Sequence, residues 1–383
     1  MLMKIVPIAL ILAATLFAQT ISVEVFDATI EDERIKGASV YLQFQGERTD
    51  SVTTDAKGKA VIKSAKPIDA ETQLVIEKDG FSDLTVQCPC DGLTYALSPV
   101  LKSIDSLRIV LSWGKTPKDL DSHLVFDDEH IYYDRKGGFD AEQDVEDTKN
   151  AYETITIRKL HSGARYVYAV HDFSNRKGDM SALTRSGARV FVYVGETLIQ
   201  THEAPQSEGN VWIVFRIGAD GDLETINTLS TLSRDAAISA QAIRELDANI
   251  SLPAVGSENL RNAQIHNRLG EASYREGRTL EAIAHYRKAK IVNQSFTKAY
   301  SNLGQAYHTL NLLPESVWSY RKALALASGN DAHIVRANSF YEIARIYEQS
   351  GNFVEAMRNY EFAKEQNSRK AYDDAIKRLR EKI

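Results

Sequence analysis

Cysteine is almost missing from this chain, with two in 383 residues, and proline numbers eight. Two thiols cannot build a disulfide framework or a four-thiolate zinc site, and so few prolines exclude polyproline stalks and long low-complexity tracts. An excess of one charge is missing as well. The 46 Lys+Arg stand against 52 Asp+Glu, a formal −6, which fits neither a polybasic nucleic-acid binder nor an acidic disordered tail. Catalytic signatures are lacking: no Gly-x-Ser-x-Gly, His-Glu-x-x-His, phosphate-binding glycine loop or dinucleotide fingerprint occurs, so the chain reads as non-enzymatic. Only one stretch is long and apolar. Ile5 to Ala18 follows Lys4, is interrupted only by Thr15, and ends on a small residue before Gln19 and Thr20. At 14 residues it is shorter than the roughly 20 of a membrane span, so residues 1–18 read as a secretory signal peptide. A periplasmic or secreted location and a mature chain without a transmembrane segment follow from that reading.

What is present falls into three textures. Residues 21–100 alternate apolar and polar in short pieces: Ile21, Val23 and Val25; Val40 and Leu42; Ala60 and Ile62; Leu74 and Ile76. Period-two alternation between turn residues predicts half-buried strands of a small antiparallel sandwich. Thr53 to Ala60, with Asp55 and Gly58, predicts a hairpin turn. Cys88-Pro89-Cys90 is left open between a disulfide and free thiols. Gly37-Ala38-Ser39-Val40, Thr54-Asp55-x-x-Gly58, Lys78-Asp79-Gly80-Phe81 and Leu97-Ser98-Pro99 together resemble the carboxypeptidase regulatory-like domain. That resemblance implies a transthyretin-like accessory sandwich over 19–101, without catalytic residues.

A second β-rich block runs over 102–232. Leu107, Ile109, Leu111 and Trp113 share a strand face; Ile155 and Ile157, Tyr166 to Val170, Val190 to Val194 and Val211 to Phe215 supply further strands. In Asp119-Leu120-Asp121-Ser122-His123-Leu124, alternation sends Leu120 and Leu124 into a core and Asp119, Asp121 and His123 to the other face. Carboxylates on one face repel unless solvated or bridged by a cation. Asp119, Asp121, Asp144, Glu146 and Asp147, with Glu153 nearby, are the dense oxygen-donor group, and calcium is the cation they suit. His123 does not suit calcium and reads as a buttress; His171 reads as structural. No other cofactor is expected.

The motifs Leu107 to Gly114, Asp119 to Leu124, Tyr132-Tyr133, Asp144-x-Glu146-Asp147-Thr148, Glu153 to Ile157 and Tyr168-x-x-His171-Asp172 occur in order and resemble the YfaP-like family, an exported bacterial domain of unknown function. A departure is Asn150-Ala151-Tyr152, where that family carries Gly-x-Gly-Pro. The Asp-Leu-Asp piece is also similar to calcium-associated jelly-roll domains.

From 233 the texture becomes helical. Asp235 to Ile250 predicts one amphipathic helix and Ser251 to Gly256 a linker, so that 233–256 joins the β half to the rest. Leu269-Gly270, Ala282, Tyr286 and Arg287-Lys288-Ala289 recur 34 residues later as Leu303-Gly304, Ser316, Tyr320 and Arg321-Lys322-Ala323. A third copy, with Ile343-Ala344, Tyr360 and Ala363, is displaced by 40, and the six extra residues are assigned to the turn around Ser328 to Asp331. A 34-residue period with small residues at helix crossings identifies tetratricopeptide repeats, at about 263–296, 297–330 and 337–370 within 257–383, closed by a capping helix from Ala371. The resemblance implies a groove lined by Asn267, Glu271 and Tyr274; by Lys298, Ser301, Gln305 and His308; and by Asn338, Tyr341 and Arg345. These suit a protein or peptide partner.

Charge is divided along the chain. Residues 258–383 carry 20 Lys+Arg and 14 Asp+Glu, hence +6, and residues 1–257 carry 26 and 38, hence −12. The positive portion can attract an acidic partner or the chain's own acidic half, whereas nucleic acid is not expected. The expected fold is multidomain β + α: two antiparallel β-sandwich domains, then a helical solenoid. The expected function is an exported, non-enzymatic scaffold, with a calcium-dependent or glycan-binding accessory module, or a hydrolase using Asp119 and Asp121, as the competing classes.

Overall fold

Alternation becomes strand wherever the sequence carries it. A computed structural model describes residues 19–161, 163–219, 221–232, 238–250 and 259–382. The signal-peptide reading and the linker reading of Ser251 to Gly256 lie outside the described residues.

In the first unit, one sheet has the order Lys59–Ser64, Gln19–Asp27, Thr94–Leu97, and the other Glu47–Arg48, Ser39–Phe44, Gln73–Glu77, Leu84–Gln87, with Val52–Thr53 also on Ser39–Phe44. A single buried cluster draws Val23, Val25, Ile62 and Leu97 from the first and Val40, Leu42, Leu74, Ile76 and Val86 from the second. The pairing of Gln19–Asp27 with Thr94–Leu97 is parallel, a departure from the all-antiparallel expectation. The Thr53 to Ala60 turn forms as read, with Asp55 Oδ1 accepting from the amides of Lys57 and Lys59 and Gly58 at φ +68°. It is not a hairpin: Val52–Thr53 pairs in one sheet and Lys59–Ser64 in the other, so the turn carries the chain across the core. Cys88 and Cys90 are joined by a disulfide.

The second unit packs a five-stranded sheet, Glu129–Ile131, Leu120–Phe126, Tyr166–Asp172, Val211–Ile217, Leu223–Ser230, on a six-stranded one, Gly137–Gly138, Ala141–Asp147, Tyr152–Ile157, Leu107–Ser112, Arg189–Val194, Thr197–Glu203. Leu107, Ile109, Leu111, Ile155 and Ile157 meet Leu120, Leu124, Phe126, Tyr168 and Phe215 between the sheets. Both outer faces are covered as well. Val110, Tyr152, Phe191 and Tyr193 join the first unit's cluster, with the Tyr152 and Phe26 rings 5.3 Å apart. Double coverage explains why strands such as Leu107–Ser112 and Arg189–Val194 are buried at every position rather than at every second one.

Nine helices occur among the described residues: α1 (Ala182–Arg185), α2 (Ala240–Ala248), α3 (Leu260–Arg275), α4 (Thr279–Val292), α5 (Thr297–Thr309), α6 (Leu313–Leu326), α7 (Ala332–Gln349), α8 (Phe353–Gln366) and α9 (Lys370–Arg380). Of the helix expected over Asp235 to Ile250, residues 235–237 lie outside the described residues; α2 starts at Ala240, where Ser239 caps it by accepting from the Ala242 amide. Its Ala242 and Ile243 cover Val125, Val167, Ala169 and Ile213 on the outer face of the five-stranded sheet. The repeated Gly-Tyr pairs explain how α3 meets α4 and α5 meets α6. A Cβ at Gly270 would stand 2.5 Å from the Tyr286 ring, and one at Gly304 2.8 Å from the Tyr320 ring. The six extra residues do not lengthen the turn as expected. The connection into α7 has five residues where the one into α5 has four, and α7 has 18 residues where α5 has 13. Five of the six therefore extend the helix.

The helical half docks on the β half chiefly through α6, with Tyr347 of α7 and Lys290 of α4 beside it. Arg321 pairs with Asp105 at 2.8 Å, Tyr347 donates its hydroxyl to the same Asp105 oxygen at 2.5 Å, and Lys322 pairs with Asp222 at 2.8 Å. Glu315 accepts the Glu196 amide, and Trp318 packs against the second unit's core.

Two stability outcomes follow. Asp105→Ala strands a buried guanidinium and is expected to cost about 3–5 kcal/mol, splitting a cooperative urea transition into separate β and helical steps. Gly304→Val drives a branched side chain into Tyr320 and is expected to destabilise the helices by about 1–3 kcal/mol in the same measurement, even though valine has the better helix propensity.

Candidate functional site

Helix periodicity brings residues of α3, α5 and α7 to a shared surface in two groups. At one end Asn267, buried, donates to Glu271 at 2.9 Å and accepts from Asn302 at 2.9 Å, while Lys298 pairs with Glu271 at 2.8 Å. Burial raises the Glu271 carboxyl, but Lys298, Asn302 and Asn267 outweigh it and leave it below its ordinary value. The Tyr274 hydroxyl bonds the Thr309 hydroxyl at 2.6 Å.

At the other end a concavity of about 470 Å³ opens among α5, α7, α8 and α9, lined by His308, Tyr341, Arg345, Glu348, Gln349, Tyr360, Arg378 and Lys382. His308 bonds Gln349 at 3.0 Å, Arg345 pairs with Glu342 at 2.8 Å, and the Tyr341 ring lies 5.7 Å from Tyr360. Ser301, Gln305 and Asn338 do not line this concavity. Sequence reasoning missed Asn302, Glu348 and Arg378. The last two form a two-pronged pair at 2.7 and 2.9 Å, which becomes visible only once α9 is folded back beside α7.

A second, buried group sits in the second β unit. Strand Leu120–Phe126 runs antiparallel to Tyr166–Asp172 with Asp121 opposite His171 and His123 opposite Ala169. As alternation requires, Leu120 and Leu124 enter the core while Asp121 and His123 face the other way. Asp121, His123 and His171 each offer a ligand atom, all within 4.8 Å of one another, with 3%, 0% and 2% of the residues exposed. Burial first, then the charges of Asp119, Glu146 and Asp172, push the Asp121 carboxyl up to about 8. Burial, then Arg176, brings His171 down to about 4, and burial, then His130 and His171, holds His123 far below an ordinary imidazole.

The expected oxygen-donor group gathers only in part: Asp119 and Glu146 lie within electrostatic reach of Asp121, whereas Asp144 and Asp147 are placed elsewhere. Asp144 adjoins the register shift between Gln143 and Val145, accepts from Thr156, and feels Arg108 at the boundary with the first unit. Asp147 is opposite Tyr152, whose ring faces the first unit, and accepts from Asn150. Glu146 pairs with Lys136 at 2.8 Å. Asp119 precedes the strand, half-buried. Among the described residues, Asp121, His123 and His171 are the only three-membered group with ligand atoms this close, and two of the three are the imidazoles read as buttress and structural filler. Glu153 is fully buried between the sheets, where it accepts the Ser122 amide at 2.6 Å.

The tetratricopeptide repeat family model matches residues 297–330, the segment that contains α5 and α6. A tetratricopeptide repeat therefore stands here. Among solved structures, the chain is similar to the Arabidopsis OM64 TPR domain at 21% identity, covering 33% of this chain and 99% of that one with a TM-score of 0.30. It is similar to the N-terminal domain of stress-induced protein-1 from C. elegans at 18% identity, covering 33% and 99% with a TM-score of 0.31. The Yersinia enterocolitica chaperone SycD, in complex with a peptide of the translocator YopD, is 13% identical over 33% of this chain and 98% of that one, with a TM-score of 0.30. No curated protein matches the chain.

His202 provides a contrast to the cluster. It is a solitary buried imidazole stacked 5.7 Å from Phe215, and burial brings it from 6.5 down to about 4. The unfolded chain takes up that proton first, so its contribution to stability is intact above pH 6.5 and is lost as pH falls toward 4. His202→Phe is expected to gain about 3 kcal/mol on wild type between pH 7 and pH 4, read from denaturant midpoints at the two values.

Proposed function

We propose that this chain is an exported, non-enzymatic scaffold whose helical half holds an extended segment of a partner protein, presented by two β-sandwich accessory modules. The pairs α3–α4 and α7–α8 are read as further tetratricopeptide repeats flanking the matched one, with α9 as the cap, so that α3, α5 and α7 line a continuous trough. The single observation carrying this reading is the direction of docking. Contacts to the β half come mainly from Glu315, Trp318, Arg321 and Lys322 on α6, with Lys290 on α4 and, from the side of α7 away from the concavity, Tyr347. The surface of His308, Tyr341 and Arg345 thereby keeps its concavity. Its lining mixes Arg345, Arg378 and Lys382 with Glu348 and three aromatic or imidazole rings, which suits a peptide carrying both an acidic and an apolar side chain. The shared apolar core within each β unit supports the sandwich reading, and the apolar run after Lys4 supports export.

Peptides selected from a random library on the full chain test this directly. Binding is expected to weaken at least about tenfold, roughly 1.4 kcal/mol, for Tyr341→Ala or Arg345→Ala and to be unchanged for Val61→Ser on the exposed face of the first unit. Selection of no peptide, or binding indifferent to both groove variants, defeats the proposal.

A further inference from the structure

We propose that Asp121, His123 and His171 form a binding site for a divalent first-row transition-metal ion of the zinc class. The site goes beyond the scaffold reading and does not depend on it.

Three observations carry it. The first is placement. Asp121 and His171 are direct cross-strand neighbours, His123 follows two residues on along the same face, and their ligand atoms fall within 4.8 Å of one another. Zinc bonds to nitrogen and carboxylate oxygen are about 2.0–2.2 Å, which at the tetrahedral angle sets donors about 3.4 Å apart, so side-chain rotation on binding has to close the loosest pair by up to roughly 1.4 Å. The second is lack of internal satisfaction. Asp121 Oδ2, His123 Nε2 and His171 Nδ1 are all buried without a hydrogen-bond partner. A purely structural cluster would turn these groups onto one another or onto the backbone, because buried lone pairs are costly to leave unpaired. The third is orientation. His123 Nδ1 lies 2.9 Å from His130 Nε2, and the Tyr132 ring stacks 4.3 Å from His130. If Nδ1 of His123 carries the proton, its Nε2 is left as a free lone pair, which is how an outer imidazole or carboxylate fixes a metal-binding histidine.

The donor set selects the metal. Calcium wants six to eight oxygens, and two imidazoles supply none. Two imidazoles and one carboxylate suit zinc, iron(II) and their neighbours, with at least one position left for water or an external donor. The carboxylates of Asp119, Glu146 and Asp172, close enough to act on Asp121, add negative potential that favours a cation.

The test uses the full chain, stripped with EDTA and dialysed separately against zinc, cobalt(II) and calcium. About one zinc per chain by elemental analysis, a d–d absorption from bound cobalt and no retained calcium are expected. His123→Ala and His171→Ala should abolish stoichiometric uptake, His130→Phe should weaken it about 10- to 100-fold, and His285→Ala, in a separate imidazole pair with His266, should leave it unchanged. Should the ligand variants fail to fold, the wild-type stoichiometry, the cobalt spectrum and His130→Phe decide alone. Absence of zinc and cobalt uptake, retention of calcium instead, or uptake indifferent to His130 and to the ligand variants overturns the site.

Discussion

The ion pair between Asp105 and Arg321 decides which side of the helical half is left for other molecules. Its two side chains are 9% and 14% exposed, a depth at which neither charge is tolerated without the other. Tyr347 closes the arrangement by bonding both partners, so the pair also fixes α7 against α6. The acidic N-terminal half thus meets the basic C-terminal half at chosen points, with Asp105 and Asp222 receiving Arg321 and Lys322. Attraction between the halves was one of two uses the charge division allowed. The structure employs it on α6 while leaving Arg345, Arg378 and Lys382 around the concavity.

A similar economy governs the β half. Tyr152, Phe191 and Tyr193 project from the six-stranded sheet into the core of the first unit, while Arg108 donates to Ser98 and to the Pro99 carbonyl. A boundary drawn at residue 101 is a boundary in the chain but not in the packing. Apolar surface on both sides of the six-stranded sheet has to be covered, and the first unit covers one of them.

Local physics was legible in the sequence, and pairing was not. Alternation alone put Leu120 and Leu124 inside and Asp121 and His123 opposite, and the Gly-Tyr spacing located the crossings at Gly270 and Gly304. What failed required knowing which strand lies beside which. His171 is 50 residues from Asp121, and only the register of two strands makes them neighbours. Asp144, grouped with Asp121 by the density of acidic residues, adjoins a register shift that such a count does not foresee. The turn at Asp55 was chemically correct, yet its flanking strands part to different sheets because two-sheet packing, rather than turn chemistry, decides their partners. In the helices, a repeat count found the insertion but not its form, since extending α7 and extending the loop before it leave the same period.

The histidine cluster shares its sheet face with α2. That helix lays Ala242 and Ile243 on the apolar part of the same sheet face whose polar part carries Asp121, His123 and His171. Its Arg244 donates to the Asp127 carbonyl, and burial first, then the charges of Arg244 and Arg135, bring His130 down to about 4. A neutral His130 keeps an acceptor for His123, which in turn keeps the opposite nitrogen of His123 available.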